Sequence, residues 1–184
     1  MIRTELLAKL EAAIRNRNPL LADHLRPGAA PNVITRRLKK VSGMTEPVFD
    51  LYAWHDGTEP VRTVSGVTHN LSFDELGFFP EEIFHFITLE MAVAHLTTWA
   101  EAAKHRPELK EGAGRYFPLF WDGSTAYVTV DLKPGNKSRV VFFENESDEP
   151  FRQAYASFDE FLLDALRANE ANEPLRFFEE GLKG

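Results

Sequence analysis

Apolar residues at Ile2, Leu6, Leu10 and Ile14, with Leu7 and Ala13 alongside, recur at the spacing of one helix face. The chain is therefore predicted to open on an amphipathic helix that stops near Asn18-Pro19, where proline cannot continue the ladder. Glu11 and Arg15 stand one turn apart on it, a favourable pair. Arg26 to Pro31 reads as a short breaker segment. Ile34, Leu38 and Val41 mark a second helix, with Lys39 and Lys40 near its negative end and Gly43 beyond. A third is predicted from Thr45 through Val48, Leu51, Tyr52 and His55, with Gly57 as its left-handed cap. Pro60 to Phe79 reads as loop with a short strand, and Glu82 to Ile87 fits either a strand or a helix entry. Thr88 caps a fourth helix, whose Ala92, Leu96, Trp99 and Ala103 form one stripe before Pro107.

After Arg115 the pattern changes. Two segments rich in aromatic and β-branched residues, within Tyr116 to Leu132, flank the turn Asp122-Gly123-Ser124, and this predicts a hairpin. Lys133-Pro134-Gly135-Asn136 is the next turn, since proline presets φ at one central position and glycine permits positive φ at the other. A third strand, Arg139 to Glu144, should return beside the second. Ser157-Phe158-Asp159-Glu160 is a capping box that opens a helix with the apolar face Phe158, Phe161, Leu162, Ala165 and Leu166. A last short helix follows Asn172, with Leu175, Phe178 and Leu182 packing. Helices, then antiparallel strands, then helices imply a single α+β domain, a mainly antiparallel sheet with helices packed on one face and at the ends and the other face partly open to a partner.

Composition supports a well-buried core. The 184 residues are 43% hydrophobic and include fifteen Phe, enough apolar area to offset the chain entropy lost on folding. No cysteine is present, so disulfides and thiolate chemistry are excluded. The amino terminus carries no apolar signal core and no eighteen-residue apolar run occurs, which points to a soluble cytoplasmic protein without a membrane partner. The net charge of −7 is unevenly spread: residues 1–44 carry nine Lys or Arg against three acids, and residues 139–184 carry five against eleven. The acidic majority disfavours nucleic acid and favours encounter with a basic protein.

Catalytic and metal signatures are missing. The six histidines, His24, His55, His69, His85, His95 and His105, are not at helical ligand spacing, and no HExxH, GxSxG, GxGxxG or P-loop string occurs. No cofactor or metal is expected. The acidic run from Glu144 to Glu149 lacks the glycine and the terminal acid of a calcium loop, so it reads as a solvated loop or an acidic knob for a basic partner. The contact residues predicted from the chain are Asp131, Glu144, Glu146, Asp148 and Glu149 for basic groups, with Phe120 or Trp121 as an aromatic anchor.

Leu51-Tyr52-Ala53-Trp54-His55-Asp56-Gly57-Thr58 and Arg115 to Gly123, which contains Pro118-Leu119-Phe120, resemble two motifs of the SUKH superfamily, the Smi/Knr-like proteins. The order continues through the acidic Glu144 to Glu146 and the Ser157-Phe158-Asp159-Glu160-Phe161-Leu162 helix start, and Asp56 departs from the commoner Asn. The resemblance spans residues 30–168, leaving 1–29 as a helical extension and 169–184 as a helical tail packed on the domain. It implies that Trp54, Gly57, Pro118, Gly123, Ser157 and Phe161 serve the fold, and that none is catalytic. It also implies a non-enzymatic protein resembling bacterial immunity proteins, which neutralise a toxin domain by stoichiometric binding; here that domain would carry a basic surface. An intracellular scaffold or regulator of cell-wall synthesis or signalling is the alternative. A hydrolase would instead need two carboxylates convergent in a pocket, one with a raised pKa.

Overall fold

The computed structural model describes residues 3–39, 41, 43, 46–64, 67–72, 74–135, 138–145, 147 and 149–181. Helix α1 spans Arg3–Arg17 and buries Leu6, Leu7, Leu10, Ala13 and Ile14, the stripe expected from the spacing. It ends where expected, because Asn18 turns to cap a short second helix, α2 (Pro19–His24), accepting from the Leu21 N–H at 3.0 Å. The breaker segment is partly a strand. Leu25–Pro27 forms β1, antiparallel to β2 (His55–Thr58), in a two-stranded sheet. Pro31 opens α3 (Pro31–Leu38) rather than ending a loop, since the first helical position needs no N–H.

Helix α4 (Glu46–Trp54) is shorter than predicted, and its expected start at Thr45 lies outside the described residues. His55 and Gly57 are not helix and cap but strand. Gly57 keeps a positive φ of 80° for a different reason: a Cβ there would sit 2.6 Å from the Thr88 nitrogen, so only glycine lets β2 approach the start of α5 (Leu89–Ala102). Asp56 serves the same junction, accepting from the Leu89 N–H at 2.8 Å at the positive end of α5. Strands β3 (Val61–Val64) and β4 (Val67–Asn70) form a second, separate ribbon inside the segment read as mostly loop.

The central sheet has five antiparallel strands in the order β5-β6-β7-β8-β9: His85–Phe86, Tyr116–Trp121, Ala126–Asp131, Val140–Glu144 and Phe151–Tyr155. The middle three are the predicted meander, and Gly135 takes φ 87° in the predicted turn. The flanking strands β5 and β9 add the edges. A register shift between Pro118 and Phe120 lets Phe117, Leu119 and Phe120 all reach the main core.

Helices cover both faces of this sheet, which corrects the expectation of an open face. On one side Phe117, Phe120, Val128, Val130 and Phe142 join a core shared with α1, α4 and α6 (Phe158–Ala171). On the other, Tyr127 and Phe143 pack under Trp99 and Ala103 of α5 and Leu109 of the turn that follows it. Every residue of β7 is buried in consequence. Ser157 caps α6 as predicted, accepting from the Glu160 N–H at 3.1 Å, while the Glu160 carboxylate accepts from the Ala156 N–H at 2.9 Å. Phe161 touches Phe79, Phe120 and Tyr155. The tail forms α7 (Arg176–Gly181), whose Phe177 and Phe178 pack on Phe142 and Phe84. Leu6, Leu10 and Leu175 belong to the same core as the sheet, so the helices at both ends of the chain pack into the body.

Candidate protein-contact surface at one end of the sheet

Antiparallel strands put alternate turns at opposite ends of a sheet, and this sorts the predicted contact residues into two groups. The β6–β7 and β8–β9 turns share one end, which carries Trp121, Glu144 and Glu149. The β7–β8 turn lies at the other, with Asp131.

Asp131 is not a rim acid. It is fully buried, and its carboxylate accepts from Arg115 Nε at 3.1 Å and Nη2 at 2.9 Å, from Arg139 Nε at 2.9 Å and from the Lys133 N–H at 2.9 Å. These partners fix β6, β7 and β8 to one another, and the charge is spent inside the molecule. Phe120 is not an anchor either. It is 1% exposed, with Phe78 and Phe79 each 4.9 Å away between ring centres. The bulge beside it turns its ring into the main core instead of outward.

Trp121 remains partly exposed. Its indole N–H donates to the Ser124 carbonyl at 3.2 Å, and its ring stacks on Tyr127 at 6.1 Å and meets His95 at 5.2 Å. The Tyr127 hydroxyl lies 3.2 Å from His95 Nδ1. Burial pushes the Tyr127 phenol up to about 12 and the His95 imidazole below its ordinary value, so both are neutral at pH 7. Trp121 thus presents an aromatic edge on a rigid, uncharged support.

The neighbouring turns are held by their own hydrogen bonds. Asp122 accepts from the N–H groups of Ser124 at 2.8 Å and Ala126 at 3.0 Å, and Gly123 takes φ 82° between them. The Asn145 N–H donates to the Thr125 carbonyl at 3.0 Å, which ties the two turns together. Arg106 braces them from the loop after α5, donating to Asn145 Oδ1 at 2.6 Å and to the Asn145 carbonyl at 3.0 Å. Glu144 is partly exposed and lies 3.6 Å from Arg152, while Glu149 is exposed and its N–H donates to Ser147 Oγ at 3.2 Å. Glu146 and Asp148 lie outside the described residues.

The sequence offered no signal for Arg106 or His95 as members of this surface. Neither belongs to a motif, and both arrive from the α5 region through the sheet's second layer. A tandem of acidic turn and aromatic strand end was visible, but its bracing was not.

The remaining sequence-marked residues are structural in their surroundings. Trp54 is half-buried against His55 at 4.5 Å and Phe78 at 6.4 Å. Pro118 sits inside β6 at the shifted register. Among the described residues no group of three or more His, Asp or Glu is placed to hold a metal ion, and no helix is long and apolar enough to cross a membrane. Glu82 has its carboxyl raised to about 7, by burial and then by the adjacent Glu81 charge.

No family model matches the chain, and no curated protein matches it.

Proposed function

We propose that this protein is a non-enzymatic binding protein of the SUKH kind, acting as an immunity protein that neutralises a toxin domain by stoichiometric contact. The partner surface is the braced end of the central sheet, and the partner is basic where it meets the β8–β9 turn. One observation carries this reading: a partly exposed tryptophan stands beside acidic turns that Arg106 and backbone hydrogen bonds hold in place. A preformed site loses little conformational freedom on binding, and an aromatic flanked by polar rim groups is the usual composition of an interface centre. The acidic rim accelerates encounter with a cationic domain and selects against acidic partners.

The test is titration of a purified cognate toxin domain, followed by calorimetry and by assay of toxin activity. A saturable one-to-one complex that abolishes the activity, and that is weakened by Trp121→Ala, supports the reading. A partner that binds equally well to the wild type and to the Trp121→Ala, Glu149→Lys double variant sinks this surface.

A further inference from the structure

His24, the last residue of α2, is 0% exposed. Its Nδ1 lies 2.6 Å from the Glu59 carbonyl oxygen, while the Glu59 N–H donates back to the His24 carbonyl at 2.9 Å. A carbonyl oxygen only accepts, so Nδ1 carries the hydrogen and Nε2 is left with a lone pair. That buried nitrogen has no hydrogen-bond partner. Such an orphan is rare in a folded interior, and a bound ion or water is one way in which it is satisfied. The ring of His69, on β4, lies 6.5 Å away between centres at 81° to it.

We propose that His24 Nε2 and His69 form a two-histidine site for a divalent transition-metal ion of the zinc class, with water completing the coordination. A histidine whose Nδ1–H is fixed on a backbone carbonyl, leaving Nε2 free, is the arrangement that orients metal-binding imidazoles. Imidazole nitrogen selects zinc, nickel or copper over calcium and magnesium, which take oxygen ligands. An ion ~2.1 Å from each nitrogen at the tetrahedral angle holds the ring centres about 5.3 Å apart, so the two rings, 6.5 Å apart, close by roughly 1.2 Å on binding. A shift of His69 leaves the central sheet's hydrogen bonds untouched. Its ribbon, β3–β4, hydrogen-bonds as a separate two-stranded sheet and is no part of the five-stranded ladder.

The charges around the pair set its strength. Arg62, opposite His69 across the ribbon, opposes a cation, yet its guanidinium is engaged by the carbonyl oxygens of Asp23 and Leu25. The Glu75 carboxylate accepts from the Ser72 N–H at 2.8 Å and the Ser72 hydroxyl at 2.7 Å. Glu59 is already paired with Arg26 at 3.5 Å. With two protein ligands the ion keeps exchangeable water positions, and binding is of moderate affinity.

The experiment is calorimetric titration of the full chain, free of any added histidine tag, with zinc chloride. One equivalent bound, with affinity lowered at least tenfold by His69→Ala and unchanged by His105→Ala at an exposed position, upholds the site. His24→Gln should weaken binding equally, but it alters a buried position, so His69→Ala on the outer ribbon is the deciding variant, with its fold checked by an unchanged circular dichroism spectrum. Zinc should also raise the melting temperature of the wild type and leave that of His69→Ala unmoved, because only the folded site binds. Absence of binding to the wild type, or binding that survives His69→Ala undiminished, overturns the proposal.

Discussion

At the scale of single residues, burial decides what a charge is for. Asp131 and Glu149 look alike along the chain, one in a strand and one in a turn, but the first is enclosed by Arg115 and Arg139 and the second is exposed. Asp131→Ala removes the buried carboxylate shared by Arg115 and Arg139 and is expected to cost about 3–5 kcal/mol, read from the urea midpoint. Glu149→Ala should stay within ~0.5 kcal/mol of wild type. Glu82 gives a pH dependence of known sign. Its folded pKa of about 7 lies above the ordinary 4.5, so the folded state favours the protonated form. The stability this contributes is fully present below the ordinary value and is lost as pH rises through the folded one. Glu82→Gln should therefore flatten the fall in urea midpoint across that window. If wild type and variant lose stability in parallel, the carboxyl is not responsible. The sequence did not identify the burial of Asp131, because alternation says that a strand residue faces one side or the other but not that helices cover both sides, and nothing local marked Glu82, which lies in the loop before β5.

At the scale of elements, what was legible is what local chemistry fixes. Ser157 reads as a cap because its hydroxyl can reach a free N–H three residues on, and the hydrogen bond to Glu160 forms as expected. Ser157→Ala should cost about 1 kcal/mol in thermal or chemical unfolding. The turns at Gly123 and Gly135 were equally plain, and the predicted meander followed from them. Gly57 was read correctly as a residue that needs positive φ and wrongly as a helix end. The signal for glycine is the same in both settings, and only the packing of β2 against Thr88 distinguishes them. Gly57→Ala combines an unfavourable φ with a contact that must move backbone, so its cost should exceed ~1 kcal/mol. Parity with wild type in melting temperature would show that the junction can yield. Along the sequence β5 fits either a strand or a helix entry, and β9 escapes notice, because both are short edge segments whose rings pack on distant parts of the chain: Phe86 on Tyr52 and Trp54, and Phe151 on Tyr116. His24 and His69 were likewise invisible as a pair, since the spacing that marks metal ligands on one helix says nothing about residues brought together from α2 and β4.

At the scale of the whole molecule, closing both sheet faces leaves neither face of the central sheet open to a partner, and the two ends of the sheet differ. One carries Arg115, Lys133 and Arg139 around a buried Asp131, while the other carries Trp121 with Asp122, Glu144 and Glu149. The binding proposal therefore makes two separable kinetic demands. Rim carboxylates act at a distance and through solvent, so Glu149→Lys should slow association with a cationic partner and reduce its dependence on salt, with little change in dissociation. Trp121 acts only at contact. Trp121→Ala should leave association nearly unchanged and speed dissociation, with a loss of about 2 kcal/mol if the indole is a hot spot. Surface plasmon resonance across a salt series resolves the two rates. Should both variants change only the dissociation rate, the acidic turns would be making direct contacts rather than steering. Should neither variant change either rate, the partner would have to be sought at the Arg115 end, where the exposed charge has the opposite sign.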